Sequence, residues 1–588
     1  MLGGVRRTPI SLGIFLLALL LRLLYLADLS DYEFRDRLDL DPKAYDEKAL
    51  QIVQGCDPHP GLPFYQSPLY AYFLAGVYRV AGHSYDAVRI VQALFGALSA
   101  LWILWIGRRL FSRTTGNLAG LVAALYAPFP FYEAQIMKTS LGVFLILSGT
   151  ILVLRDRSRR AVFFGGLLIG LAALVRENAL LFLAVAFVGL LWGRAPGRGS
   201  VGKALLLLLG GAAAIAPVTA RNVLVSGDWA LVTSQGGQNF YIGNNEAAAG
   251  TYTGLPFVRP DPRYEEIDCR REAERRAGRE LSPSEVSRFW YAEAFRWMKE
   301  NPRGAATLWG RKVLLFWDDR ELPDNENIYY MRERFGALRL FPITFGSVAA
   351  LALVGMVASI RRFRPLLLVY GGVGTTFASL VAFFVFSRYR VHVVPFLILF
   401  AAETVRLGAA ALRDRRWSRV LLLLAGTGGA LVLTFLVRPG DYDPKWEGYL
   451  AMHVNRAMLF AEAGEWEQAA GEYGLALEIA PDQGEVRKRR AQALLQAGRR
   501  EEARDEFGRA AALLPRDGAV RNDLALLMLE GGRKNEAEEL LREAIRIEPG
   551  LEGPHRNLGR LLVESGREEE GRRQIAVADS LRAEREGR

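Results

Sequence analysis

Cysteine and histidine are scarce in this chain of 588 residues: two of the first, Cys56 and Cys269, and five of the second. No Cys-x-x-Cys pair and no Cys/His spacing of a structural zinc site occurs, which excludes zinc-finger and dithiol redox roles. Charge is also low, at 23% against 51% hydrophobic residues. That ratio excludes disorder and a soluble multidomain enzyme unless the two kinds of residue are segregated along the chain. They are. The first apolar run, Ile10 to Ala27, is followed by Asp-rich sequence and not by a small-residue cleavage site, so it reads as an uncleaved first helix.

From position 441 onward there are 24 basic and 30 acidic residues, leaving 50 basic and 33 acidic before it. The net charge of +11 therefore belongs to the apolar part. A basic, hydrophobic stretch of this length reads as a polytopic membrane protein, and nucleic-acid binding is a poor account of the positive charge. Apolar runs predict about eleven spans: 10–27, 86–107, 117–131, 138–154, 161–175, 178–192, 203–219, 342–360, 365–386, 392–409 and 418–437. The fifth and sixth are short and flank Arg176-Glu177-Asn178, where a hairpin with a wet turn is the alternative. Basic clusters at Arg6-Arg7, Arg108 to Arg113, Arg155 to Arg160, Arg194 to Lys203, Arg361 to Arg364 and Arg413 to Arg419 fall at alternate ends and place those loops in the cytoplasm. The N-terminus is then cytoplasmic, and the outer side receives loops 28–84 and 221–341 and everything after Arg438. Both cysteines lie on that side, where a disulfide is open to them.

After the last apolar run the sequence repeats itself. Gly464, Gly498, Gly532 and Gly566 are 34 residues apart, as are Pro481, Pro515 and Pro549; Ala469, Ala503 and Ala537, Tyr473, Phe507 and Leu541, and Ala476, Ala510 and Ala544 keep the same register. This resembles the tetratricopeptide repeat, in which small residues let two helices cross closely, Gly opens the turn and Pro ends the second helix. The last unit, with Gly571 in place of the Ala and no Pro, reads as a cap. Residues 441–588 are thus expected to form an α-solenoid that binds a protein or peptide, hinged at Arg438-Pro439-Gly440-Asp441 to a membrane domain over 1–440.

Polar residues gather at the outer surface. The first outer loop carries Asp39-Leu40-Asp41-Pro42-Lys43-Ala44-Tyr45-Asp46-Glu47 and Pro63-Phe64-Tyr65-Gln66-Ser67-Pro68-Leu69-Tyr70; a second reads Tyr126 to Lys138 and includes Glu133. This order of an entry helix, an acidic first outer loop, a Pro-Leu-Tyr segment and a Gly-rich following span resembles the GT-C class of polyprenyl-phosphate-sugar-dependent glycosyltransferases. That class includes protein O-mannosyltransferases and the aminoarabinose transferase of lipid A. The resemblance covers about residues 10–230 closely and 340–440 loosely. It implies an all-α GT-C-type bundle with an extracytoplasmic loop domain, and a lipid-linked donor such as an undecaprenyl-phosphate sugar. The absence of a Gly-rich phosphate loop or Rossmann-like domain argues in the same direction, against a nucleotide-sugar donor.

An inverting transfer needs a carboxylate to take the acceptor's proton and cations to hold the leaving phosphate. The resemblance assigns the first role to Asp41, with Asp39 and Asp46 in reserve, and places Tyr45 on the same helix face. Asp41 is also placed to cap a helix starting at Pro42. Glu133 matches the second acidic position, as a catalytic partner or as an interfacial residue. Lys138, at the outer start of a helix where a cation opposes the dipole, is a candidate phosphate contact. Arg176, Arg221, Arg388 and Arg390 are candidate phosphate clamps or interface anchors. Gln66-Ser67-Pro68 stands where aminoarabinose transferases have Glu-Lys-Pro, which leaves Gln66 as a substrate contact and argues against a bound metal; His59 and His392 alone do not make a metal site.

The stretch Thr233 to Asn245, with Asn244, reads either as a sugar-facing segment around one strand-like run or as an ordinary outer β-hairpin. Trp290, Trp297, Trp309 and Trp317 read as an interfacial belt. The sequence as a whole therefore predicts a transferase acting outside the cytoplasmic membrane on a protein, lipid or polysaccharide acceptor. High Arg, Gly and Ala content and the lack of an organelle signal point to a bacterial inner membrane. The rival readings are a non-catalytic scaffold presenting the repeats, and a transporter or oligosaccharide ligase.

Overall fold

The computed structural model describes residues 9–32, 34–155, 158–192, 198–259, 262–322, 326–438 and 444–586. Arg6-Arg7, the hinge residues Pro439 to Asp441, and parts of the basic loops at 156–157 and 193–197 lie outside the described residues. The chain falls into two compact units, Met1–Pro444 and Lys445–Arg588.

The first unit is built from α1 (Pro9–Asp28), α2 (Leu40–Val53), α3 (Leu69–Ala81), α4 (Tyr85–Leu110), α5 (Arg113–Leu125), α6 (Pro128–Ala134), α7 (Thr139–Arg155), α8 (Arg159–Ala173), α9 (Ala179–Leu191) and α10 (Arg198–Ser226). It continues with α11 (Gly236–Gly243), α12 (Pro262–Ala277), α13 (Pro283–Glu300), α14 (Pro302–Trp317), α15 (Ile328–Arg334), α16 (Phe345–Ser359), α17 (Leu367–Ala382), α18 (Ser387–Arg390), α19 (Val394–Arg413) and α20 (Trp417–Leu431). Among the described residues there is no strand, only an isolated bridge between Tyr126 and Ile343. The membrane helices have clear local causes. Ser84 caps α4 by accepting the Ala87 amide, Asp86 lies in its first turn and Arg108-Arg109 in its last, an arrangement that complements the helix dipole. Ser112 and Ser158 cap α5 and α8 in the same way.

All eleven predicted spans fall on helices, but their lengths divide them. Among the described residues six helices are long and apolar enough to cross a membrane, and seven if the bent pair α6–α7 is one span. The expected span 117–131 is not one helix: α5 stops at Leu125, and α6 and α7 meet at 118°. The chain leaves α5 at Tyr126, which is extended, and prolines at 128 and 130 fit the start of a new helix there, because each lacks a backbone donor. Helices α8 and α9, of 15 and 13 residues, are short for a hydrocarbon core of about 30 Å. Packing relies on small residues: a β-carbon at Gly166 or Gly210 would overlap the Leu207 or Phe163 carbonyl across the α8–α10 contact.

One charged pair is buried inside the bundle. Arg22 of α1 and Glu133 of α6 meet at 2.6 Å, with side chains 1% and 7% exposed. Gly96 of α4 makes the room, since a β-carbon there would overlap the Glu133 carboxylate. Separating a buried pair costs on the order of 3–5 kcal/mol, because each charge is left without its partner. Gly96→Ala is therefore expected to lower the detergent melting temperature clearly; an unchanged Tm would show that Glu133 can move aside at no cost.

Among the described residues the second unit is eight helices in four pairs: α21 (Pro444–Glu462), α22 (Trp466–Ile479), α23 (Gly484–Gln496), α24 (Arg500–Leu513), α25 (Gly518–Glu530), α26 (Lys534–Ile547), α27 (Glu552–Glu564) and α28 (Glu568–Glu586). The four register glycines all have positive φ, from 75° to 83°, and turn the chain between the members of each pair. Ala469, Ala503 and Ala537 are fully buried at the crossings, while Pro481, Pro515 and Pro549 follow the ends of α22, α24 and α26. In the last pair Gly571 lies close enough to Gly559 that a β-carbon on it would overlap the Gly559 carbonyl, so the departure from Ala tightens that crossing. This is the tetratricopeptide α-solenoid that the 34-residue period predicts.

Candidate active site

The membrane unit holds an open cavity of about 730 Å³ lined from several segments. Helix α2 contributes Leu40, Asp41 and Tyr45. The helix is capped by Asp39, whose side chain accepts the Leu40 amide, so Asp41 is not the cap that the sequence also allowed. Leu40 has φ +48°, a left-handed conformation that costs a residue with a β-carbon on the order of 1–2 kcal/mol. Strain of this kind beside a cavity is a common mark of a functional residue next to it. Asp41 Oδ2 meets Arg388 Nη1 at 3.0 Å. Burial acts to raise the Asp41 pKa, but the charges of Arg388 and Lys138 more than offset it and hold the carboxyl below its usual range. Asp41 is thus an anion at neutral pH.

Two further cations face the same space. Lys138 sits at the break between α6 and α7, a break anchored by Gln92, which donates to the carbonyls of Glu133 and Gln135 at 2.7 Å. Its Nζ lies 5.6 Å from the centre of the Tyr45 ring. Arg176, in the turn between α8 and α9, stacks on Tyr389 with its guanidinium carbon 3.8 Å from the ring centre. Both line the cavity, and neither forms an ion pair among the described residues. The adjacent Glu177 accepts from Ser67 at 2.9 Å and Thr233 at 2.8 Å; burial raises its pKa, while Lys138 and these hydroxyls pull it below its usual value overall. Gln66, which accepts from Lys48 at 3.1 Å, closes this side.

Six expected site residues are therefore gathered in one place: Asp41, Tyr45, Gln66, Lys138, Arg176 and Arg388. Four are not among its lining. Glu133 is occupied by Arg22 inside the bundle, so its expected role beside Asp41 gives way to a structural pair. Arg221 is tied to Asp57 at 2.6 Å and to the carbonyls of Leu62 and His59, and holds the segment between α2 and α3 to α10. Arg390 binds the carbonyls of Asp318 and Arg320, with Glu321 at 3.3 Å, and anchors the segment after α14. Asn244 is fully buried, donates to the Phe240 and Ala382 carbonyls and accepts from Trp309 and Lys312. The stretch around it is helix α11 and not a strand or hairpin, and Thr233, Gln235, Gly236 and Asn239 are the residues that reach the cavity.

The sequence reading missed Glu177, Tyr252, Glu265, Tyr291 and Tyr389, all of which line the cavity. Among the described residues no group of three or more His, Cys, Asp or Glu side chains is arranged to hold a metal. Cys56 is exposed and Cys269 buried, and they are not bonded to each other. Trp290 is fully buried against Cys269 rather than at an interface.

The family model for dolichyl-phosphate-mannose-protein mannosyltransferase matches residues 59–221, a stretch that includes Gln66, Lys138 and Arg176. No curated protein matches the chain. Similar solved structures include a crystal structure of MamA (17% identity, TM-score 0.23, 25% of this chain and 93% of that one). They also include MamA from Desulfovibrio magneticus RS-1 (16%, 0.21, 31% and 94%) and pilF of Pseudomonas aeruginosa (20%, 0.22, 30% and 74%). The match over residues 59–221, in a bundle of membrane-length helices, marks the first unit as a membrane glycosyltransferase of the GT-C type.

Proposed function

We propose that the cavity transfers a sugar from a polyprenyl-phosphate carrier to an acceptor on the outer face of the cytoplasmic membrane. The observation that carries this reading is the charge pattern of the cavity: an ionised Asp41 stands beside Arg388, with Lys138 and Arg176 in no ion pair among the described residues and Glu177 within the field of Lys138. Two such cations in a partly buried space suit a phosphate, which supplies acceptor oxygens for charge-assisted hydrogen bonds. Asp41 is the first-loop carboxylate of an inverting attack, accepting the hydrogen bond of the acceptor hydroxyl as its oxygen approaches the anomeric carbon from the face opposite the phosphate. Lys138 and Arg176 stabilise the phosphate as it leaves. Gln66, Gln235 and Asn239 supply the amide groups that suit a sugar. The family description supports a polyprenyl-phosphate sugar of the mannose type as donor.

The basic loops favour a cytoplasmic N-terminus in a bacterial inner membrane, with the cavity and the repeats outside. In this arrangement the solenoid holds a protein or peptide partner near the membrane. The donor assignment is tested on the purified full chain by thermal melting with undecaprenyl phosphate and with undecaprenol. The phosphate lipid is expected to raise the Tm and the alcohol to leave it unchanged; equal shifts would mean that the cavity does not read phosphate.

A further inference from the structure

Glu265 is, with Glu177, one of two cavity carboxyls to which the transfer reaction above gives no task, and unlike Glu177 it has no cation acting on it among the described residues. It stands in the first turn of α12 and lines the cavity with Asp41. Its Oε1 accepts the Tyr65 hydroxyl at 2.8 Å, and Oε2 has no hydrogen-bond partner among the described residues. No cation pairs with it there either, unlike its neighbour Glu266, which meets His59 at 3.1 Å and Arg270 at 3.3 Å. The groups facing it are Tyr65 from the first outer loop, Asp41 of α2 and Tyr252 from the segment before α12, with Glu266 and Cys269 on its own helix. None of these is a cation.

Asp41 and Glu265, two of the three carboxyls lining the cavity, are therefore unequal. Asp41 is held by Arg388 and has a weak hold on a proton. Burial pushes Glu265 up to about 7; the Tyr65 hydrogen bond opposes the rise, and the Asp41 and Glu266 charges add to it. A general base works best when its proton affinity matches the working pH, and two carboxyls whose environments separate them take different roles.

We propose that Glu265 is the second acid–base residue of the site, the group on which the acceptor's proton ends, while Asp41 aligns the acceptor hydroxyl. This rests on the transferase reading of the cavity. In the step, the acceptor O–H bond breaks and its proton passes to the Glu265 carboxylate. The acceptor oxygen bonds to the anomeric carbon, and the bond from that carbon to the phosphate oxygen breaks with its electron pair leaving on the phosphate. Glu265 then releases the proton to the outer solution.

The test is donor consumption by the purified full chain, from a panel of labelled undecaprenyl-phosphate monosaccharides with a membrane extract as acceptor, measured from pH 6 to pH 8. A group titrating at about 7 must be ionised to act, so kcat/KM rises roughly tenfold over that range. Glu265→Gln keeps an acceptor for Tyr65, lowers consumption on the order of a hundredfold or more, and removes the rise with pH. Asp41→Asn also lowers the rate, but its residual activity keeps the rise. Glu265→Asp, which retains a carboxyl, recovers part of both rate and rise; failure of Gln with failure of Asp and a lowered Tm would reveal a structural residue and overturn the proposal. An active parent whose Glu265→Gln variant keeps its rate and pH profile overturns it as well, and leaves the transferase reading standing. A parent that neither binds undecaprenyl phosphate nor consumes any donor overturns that reading and the proposal together.

Discussion

Asp41→Asn is expected to lower kcat/KM for sugar transfer on the order of 10² or more, through loss of the anion that aligns the acceptor hydroxyl, without loss of donor binding. The separation follows from the Asp41–Arg388 pair. Asparagine has nearly the same shape but no charge, so the acceptor hydroxyl loses its anionic partner. The Arg388 guanidinium, 4% exposed and 3.0 Å from Asp41, is at the same time released toward the nearest anion, which in the loaded cavity is the donor phosphate. Affinity for undecaprenyl phosphate should therefore stay level or tighten while turnover collapses. A variant that transfers sugar within about threefold of the parent contradicts the assignment of Asp41. Because Asp41 is held below the ordinary carboxylate range, it stays ionised down through mildly acidic pH and contributes no titration near neutrality.

The second large effect belongs to the unpaired cations. Lys138→Ala and Arg176→Ala should each weaken undecaprenyl phosphate binding by about 10- to 100-fold, since a hydrogen bond to a charged group contributes about 1.5–3 kcal/mol. Both line one cavity, so the double variant need not show the sum of the two. Arg176→Lys should behave more like the alanine variant than like the parent, because lysine keeps the charge but loses the planar stack on Tyr389. Binding isotherms of the four proteins against undecaprenyl phosphate decide it. Affinities unchanged in both single variants would place the phosphate elsewhere. Arg176→Ala should not destabilise the fold, whereas Lys138→Ala removes the charge that does most to hold buried Glu177 ionised and should lower the Tm.

The features legible in the sequence are those fixed by period and local chemistry. The solenoid follows from a 34-residue register in which glycine, alanine and proline each have a single geometric use, and the membrane helices follow from apolar runs. Breaks within those runs are harder to read. The span expected at 117–131 splits at Tyr126, before Pro128 and Pro130, a break that hydropathy averages over, and a second break, between α6 and α7, presents Lys138 to the cavity. The segment around Asn244 has the Gly, Asn and Gln content of a turn, yet it forms α11, where Gly237 and Gly243 allow contact with the carbonyls of Ser287 and Phe383.

Side-chain roles are legible only where the partner is near in sequence or the residue has none. Glu133 matches the family position for an acid, but its partner Arg22 lies 111 residues earlier in a span read as simply apolar. Arg388 and Arg390 are two residues apart on the one-turn helix α18, which directs the first to the cavity and the second to the carbonyls after α14. Glu265 was hidden in a helix whose charges look like a solvated face; only the fold shows that this one carboxyl lacks a cation. Lys138 and Arg176, by contrast, could be singled out because a cation at a helix start and a cation between two apolar runs are both locally unfavourable.

The most direct measurement is transfer itself. The purified full chain is mixed with labelled undecaprenyl-phosphate monosaccharides, a mannose donor among them, and a membrane extract, beside Asp41→Asn and the Lys138→Ala/Arg176→Ala double variant. The cavity as described predicts labelled acceptor with the parent, bound but unconsumed donor with Asp41→Asn, and little bound donor with the double variant. Retained donor binding by the double variant, or equal transfer by the parent and Asp41→Asn, would contradict it and leave the bundle as a membrane anchor for the repeats.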